Sequence, residues 1–208
     1  MKKLMYLVMA IALIASANAA VVTLSTTAPT VDATDESNLV ATTGDLKWFD
    51  DVEHDAGQTF TPSANLTLDA FTVQTNRDNA DDAPDSVLLR LGTITRPGDV
   101  FTFTDIYSEA APIGADMFAG DYITFSLDVP QALTGGVEYG VIVDAQAMGD
   151  WHVGIPYLAL GGTGYAGGNA IGRGDARPDD LVFHANLVPE PATLALLGLG
   201  TFLLRRKR

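Results

Sequence analysis

Between residues 20 and 187 apolar side chains recur at every second position in several short stretches, and no capped three-and-four repeat lies among them. A two-residue period sends alternate side chains to opposite faces of extended backbone, so it specifies strands and argues against helices. The clearest case is "DYITFSLDVP". Ile123, Phe125, Leu127 and Val129 share one face, Tyr122, Thr124, Ser126 and Asp128 the other, and Pro130 is expected to end the strand. "VEYGVIVDA" repeats the pattern with Tyr139, Val141 and Val143. In "LTLDAFTVQT" Leu66 and Leu68 give way to Phe71 and Val73, a change of phase at Asp69-Ala70 that predicts a bulge. "SVLLRLGTIT" adds another strand, and "DLVFHANLV" a last one with Leu181, Phe183, Ala185 and Leu187 together. Shorter candidates lie at 21–24, 57–60, 106–108 and 151–155.

Eight or nine short strands, punctuated by "RPGD", "TGG" and "GGTGYAGG", predict an all-β, two-sheet sandwich of jelly-roll type. Residues 20–187 form one domain of sufficient length for a sizeable core, with no internal repeat. Cysteine is absent. The domain must therefore hold by core burial, and thiolate zinc sites and thiol catalysis are excluded.

The two ends differ from this middle. Lys2 and Lys3, the uncharged run from Leu4 to Ala15, and "ASANAA" make a three-part signal peptide over residues 1–19, cut after Ala19 or Ala20. About a dozen apolar residues are too few to cross a bilayer, which takes roughly 20. At the other end Ala192 to Leu204 is thirteen residues without a charge. As a helix it would reach about 20 Å, short of a hydrocarbon core of about 30 Å. Leu194, Leu196, Leu197, Leu199, Phe202, Leu203 and Leu204 leave no polar face, so a soluble amphipathic helix does not fit. Arg205, Arg206, Lys207 and Arg208 hold the end on the cytoplasmic side. The segment is a short transmembrane helix and a marginal anchor.

"VPEP", a short Leu/Gly-rich stretch and a terminal "RRKR" occur in that order, and together they resemble a PEP-CTERM sorting tail over residues 188–208. The resemblance implies recognition by an exosortase, a membrane-embedded cysteine protease, near Pro189, Glu190 and Pro191. It also implies export in a Gram-negative-type bacterium, transient inner-membrane anchoring, and release to the cell surface or extracellular matrix. Signal peptidase and exosortase are then the processing partners. "GQTFT", "VPQALTGGVEYGVIV" and the closing strand are similar to carbohydrate-binding-module-like sandwiches and to uncharacterised domains that precede such tails.

The formal net charge is −14. Six of the twelve Lys/Arg lie in the terminal signals and only Glu190 of the 26 acids does, which leaves 25 acids against 6 bases, or −19, in the domain. Such a surface excludes a nucleic-acid partner, since phosphate requires a basic face. It leaves divalent cations open.

The candidate ligand residues are acids and aromatics. Asp78, Asp81, Asp82 and Asp85 crowd one loop, "NRDNADDAPD", where hard oxygens suit Ca²⁺, although a solvated acidic loop is the favoured reading. Trp48, Trp151, Tyr157 and Tyr165 lie near glycine-rich or polar text, where a ring can stack on a sugar. For Trp48 and Trp151 the favoured reading is as core anchors between the sheets, whereas Tyr165, inside "GGTGYAGG", reads as an exposed platform. His54, His152 and His184 have no metal-type spacing, and His184, opposite Phe183 in phase, is expected to face solvent or a groove. No G-x-S-x-G, H-E-x-x-H or phosphate loop is present. The expected function is a non-catalytic structural or interaction role at the surface. A calcium-assisted polysaccharide-binding module is the alternative, and a glycoside hydrolase a more distant one.

Overall fold

The computed structural model describes residues 19–42, 45–46, 55–76, 86–97, 100–113, 118–144, 158–172 and 174–189. These residues are all-β, with no helix among them. A five-stranded front sheet has the order β1-β8-β5-β14-β2, from β1 (Val21–Ser25), β8 (Tyr122–Leu133), β5 (Leu66–Gln74), β14 (Phe183–Pro189) and β2 (Glu36–Asn38). A six-stranded back sheet has the order β12-β11-β4-β9-β6-β7. Its strands are β12 (Asp175–Ala176), β11 (Ala170–Gly172), β4 (Asp55–Phe60), β9 (Tyr139–Asp144), β6 (Ser86–Thr95) and β7 (Thr102–Pro112). A small side sheet joins β13 (Asp180–Leu181), β10 (Leu158–Gly162) and β3 (Asp45–Leu46). It closes one end of the front sheet, where Thr75 bridges Leu158 and the Gln74 N–H donates to the Val182 carbonyl at 3.2 Å.

One apolar core fills the space between the two large sheets. Leu68, Phe71, Val73, Ile123, Phe125 and Phe183 come from the front, and Phe60, Val87, Leu89, Leu91, Val141 and Val143 from the back. Their sequence spacing puts them there, because each set keeps the two-residue period within its strand. Phe125 pairs directly with Phe71, which stacks on Phe183 at 6.1 Å between ring centroids. Each such ring contributes about 2–3 kcal/mol by leaving water.

The bulge expected at Asp69-Ala70 is present. Register shifts between Leu68 and Ala70 against β8, and β14 shifts opposite the same point, so exposed Asp69 is skipped by both neighbours. Pro130, by contrast, does not end its strand. Ser126 faces Ala70 and Gln131 faces Leu68, so residues 127–130 swing out of the ladder and the proline, lacking an N–H, leaves no donor unpaired. Within that excursion Leu127 stays buried but Val129 is 54% exposed, off the face its spacing assigns it.

The outer face of the front sheet is not all solvent. Tyr122 packs against Ala159 and Val182, beneath Leu39. Of the shorter strand candidates, 21–24, 57–60 and 106–108 fall inside β1, β4 and β7; 151–155 lies outside the described residues. Gly57 admits β9 closely, since a Cβ there would strike the Val141 carbonyl and crowd the Ile142 Cα.

Candidate functional site

Most of the expected ligand residues lie outside the described ones: Trp48, Trp151, Tyr157, Asp78, Asp81, Asp82, Asp85, His54 and His152, with Glu190, Pro191 and Arg205, Arg206, Lys207 and Arg208 of the tail. Among the described residues no three His, Asp or Glu side chains are grouped to hold a metal ion. Tyr165, His184 and Pro189 are described, and the first two depart from their sequence readings.

Tyr165 is a clamp rather than an open platform. Its ring meets Phe183 edge-on at 5.1 Å, and its hydroxyl donates to Glu36 Oε2 at 2.7 Å. The Tyr165 N–H donates to Asp180 Oδ2 at 3.0 Å, while Asp180 Oδ1 accepts from Gln58 Nε2 at 3.1 Å. Gln58 Oε1 in turn accepts the Leu181 N–H at 2.8 Å. Burial first, then the neighbouring Glu36 carboxylate, pushes the Tyr165 phenol well above its ordinary range. Gly167 has no side chain because the ring lies where one would be. The glycine-rich segment is thus tied to β2, β4 and β13 through buried polar groups that satisfy one another.

His184 is buried, at 3% exposure, not turned to solvent. It does sit opposite Phe183 in phase, between Thr72 and Ser37 on the outer face of the front sheet. The turn before β2 covers it. His184 Nε2 lies 2.9 Å from Asp35 Oδ2, which also accepts the Asp32 N–H at 2.7 Å. Burial pushes the Asp35 carboxyl up, but the N–H groups of Asp32 and Leu187, with His184, outweigh it and hold Asp35 below its ordinary value.

The same turn fastens the chain at Leu187. β2 pairs with β14 only as far as Ala185, and two side chains then take over the open edge. Asp35 Oδ1 accepts the Leu187 N–H at 2.9 Å, and Thr34 Oγ1 donates to the Leu187 carbonyl at 2.6 Å. Beyond that strap β14 continues for two more residues, Val188 opposite Thr67 and Pro189 opposite Leu66. The change from domain to tail, expected after Leu187, therefore falls inside a paired strand. Pro189 suits the last position because it brings no N–H that the ladder would have to satisfy. Nothing in residue spacing connects Asp35 to His184 or Leu187; only the fold brings them together.

The PEP-CTERM protein-sorting motif matches residues 187–208. The chain matches no curated protein and no solved structure. The matched stretch begins at the strapped residue, Leu187, and runs out through Val188 and Pro189. A motif of this kind implies export, a membrane-anchored stage and sorting to the cell surface, with an exosortase as processing partner. Over residues 187–208 the chain carries a PEP-CTERM sorting signal.

Proposed function

We propose that this is a non-catalytic structural or interaction protein of the cell surface or extracellular matrix, delivered through its tail and cut near Pro189, Glu190 and Pro191. One observation carries the reading: the sorting motif leaves directly from the closing strand of the sandwich, so what is delivered is the sandwich itself. Commitment of Tyr165 to Glu36 and Phe183 favours a structural role over polysaccharide binding, since one of the four candidate stacking rings is already occupied. Strand order supports a jelly roll for the delivered domain. β2-β14-β5-β8 faces β4-β9-β6-β7, and the chain changes sheet at every step among these eight except the β6–β7 hairpin. The anchor spans a Gram-negative-type inner membrane only marginally, with the basic end inside.

The test is processing in an exosortase-bearing host. Replacing Pro189, Glu190 and Pro191 with alanine leaves export intact and accumulates an uncut, membrane-held precursor. Replacing Arg205 to Arg208 instead lets uncut protein escape to the periplasm. Mass spectrometry of the surface form decides the matter: a chain still ending in Arg208 overturns the sorting reading.

A further inference from the structure

The Ala20 nitrogen lies in an unusual place for the start of a mature chain. Ala19 is exposed, whereas Ala20 is 2% exposed and belongs to the main core. Its N–H donates at 3.0 Å to the carbonyl of Ala110, on the outer edge of β7, while the next residue, Val21, pairs with Ser126 of β8. Ala20 therefore spans the open side of the sandwich, from the front sheet to the back. The residue before its acceptor is Glu109, itself only 7% exposed. Glu109 Oε2 accepts the Asp128 N–H at 3.3 Å, two residues beyond the partner of Val21, which places the carboxyl beside the crossing. The other oxygen, Oε1, is buried with no hydrogen-bond partner.

An orphaned buried carboxylate oxygen needs a donor. Among the described residues the groups acting on Glu109 supply no positive charge: they are the Tyr107 hydroxyl, a hydrogen-bond partner of the carboxyl, the Asp128 N–H on Oε2, and the Asp128 carboxylate, which is repulsive. Burial pushes the Glu109 carboxyl up and, with Glu109 beside it, the Tyr107 phenol up to about 12. Arg90 and Arg96 are engaged elsewhere, with Asp105 and Asp144 and with Glu138. Among the described residues no cation stands beside this buried carboxyl.

We propose that removal of the signal peptide after Ala19 creates a cation there: the new α-ammonium of Ala20 stays at its buried position and pairs with Glu109. This rests on the export reading. Hydrolysis breaks the Ala19–Ala20 peptide bond; water supplies oxygen to the Ala19 carboxylate, and the Ala20 amine becomes protonated. One N–H of the ammonium keeps the Ala110 carbonyl, and the additional donors meet Glu109 Oε1, an acceptor that an amide in that position leaves unused. Maturation thereby completes the closure of β1 onto β7. The pair is whole where Glu109 is ionised and the amine protonated. An α-amine, ordinarily near pKa 7.7–8.0, is raised by such a partner. Its contribution is then full below that range and lost as pH rises through the higher folded value; it is lost at the acid end as Glu109 protonates.

The test uses the exported protein purified after natural processing: wild type, E109Q, and chains with glycine inserted between Ala19 and Ala20, one with Glu109 and one with E109Q. Mass spectrometry reads the first residue, and an N-hydroxysuccinimide ester at pH 7.5 reads α-amine reactivity, with melting curves confirming that each form is folded. Expected are an Ala20 start and wild-type labelling at least tenfold slower than in E109Q. The insertion form should label rapidly with or without Glu109. Equal labelling of folded wild type and E109Q overturns the proposal, as does a start at Val21. A surface form that retains residues 1–19 overturns the export reading instead.

Discussion

The Asp35 carboxylate and the His184 imidazole meet 2.9 Å apart beneath the surface, 149 residues distant in sequence. Through its second oxygen Asp35 also holds the Leu187 N–H, so one buried acid fixes both the middle and the exit of the closing strand. Removing Asp35 leaves His184 and the Asp32 and Leu187 N–H groups without their acceptor, at a cost of at least about 3 kcal/mol in all. Asp35→Ala should lose that much in urea denaturation. Hydrogen exchange at Leu187 should quicken in the same variant while the β6–β7 hairpin keeps its protection.

Acid should undo the same contact. Asp35 is held below its ordinary value, so its contribution is present above the unfolded carboxylate value of about 3.9 and is lost as pH falls through the lower folded value. Stability of Asp35→Asn should therefore fall less steeply than wild type below about pH 4, measured by urea midpoints from pH 5 to pH 2.

Phe125 is fully buried and pairs with Phe71 at the centre of the front sheet. Phe125→Asp removes the ring and buries a carboxylate with no partner. A loss of at least about 4 kcal/mol is expected, against a total stability of roughly 5–15. Melting at the wild-type temperature would show that the strand faces the other way.

Gly57 lets β4 and β9 approach across the back sheet. Gly57→Ala drives a methyl into the Val141 carbonyl, and the obstacle is backbone, which cannot swing aside. The expected cost is about 1–3 kcal/mol, seen as a lowered melting temperature. A substitution tolerated without loss would place the strands farther apart than described.

Tyr165→Phe keeps the edge contact with Phe183 and deletes the hydroxyl, which donates to Glu36 and meets the Thr61 backbone. About 1–2 kcal/mol should be lost, and Glu36→Gln in the same background should add little, because the two act on one bond.

β5, β6, β8, β9 and β14 were legible because each carries enough alternation to declare its inner face. β7, eleven residues long, was legible only at 106–108, because none of residues 102–108 is buried. β6 has the bounds its text suggests, and the phase change at Asp69 is a real bulge. β2, β3 and β10 to β13 are two to five residues long and partly glycine-rich, so they are strands only by virtue of their neighbours. His184 was assigned the correct side of its strand but the wrong surroundings: periodicity gives the side, and only the Asp32–Asp35 turn decides that this side is covered. The sorting motif was readable because its parts are contiguous. The Tyr165–Glu36 bond joins residues 129 apart, a choice no local pattern encodes.

The continuation of β14 to Pro189 gives the molecule an up and a down. Leu66 stands beside both Leu133 and Pro189, so the end of the front sheet that bears the Asn65 and Gly135 turns is the end from which the tail departs. Between Pro189 and the apolar run at Ala192 lie only Glu190 and Pro191, a reach of about 11 Å when fully extended. If the apolar run anchors as proposed, that pole faces the membrane and the side sheet, with Thr75 and Leu158, lies at the far pole. Whatever meets the protein before its release meets that far pole first.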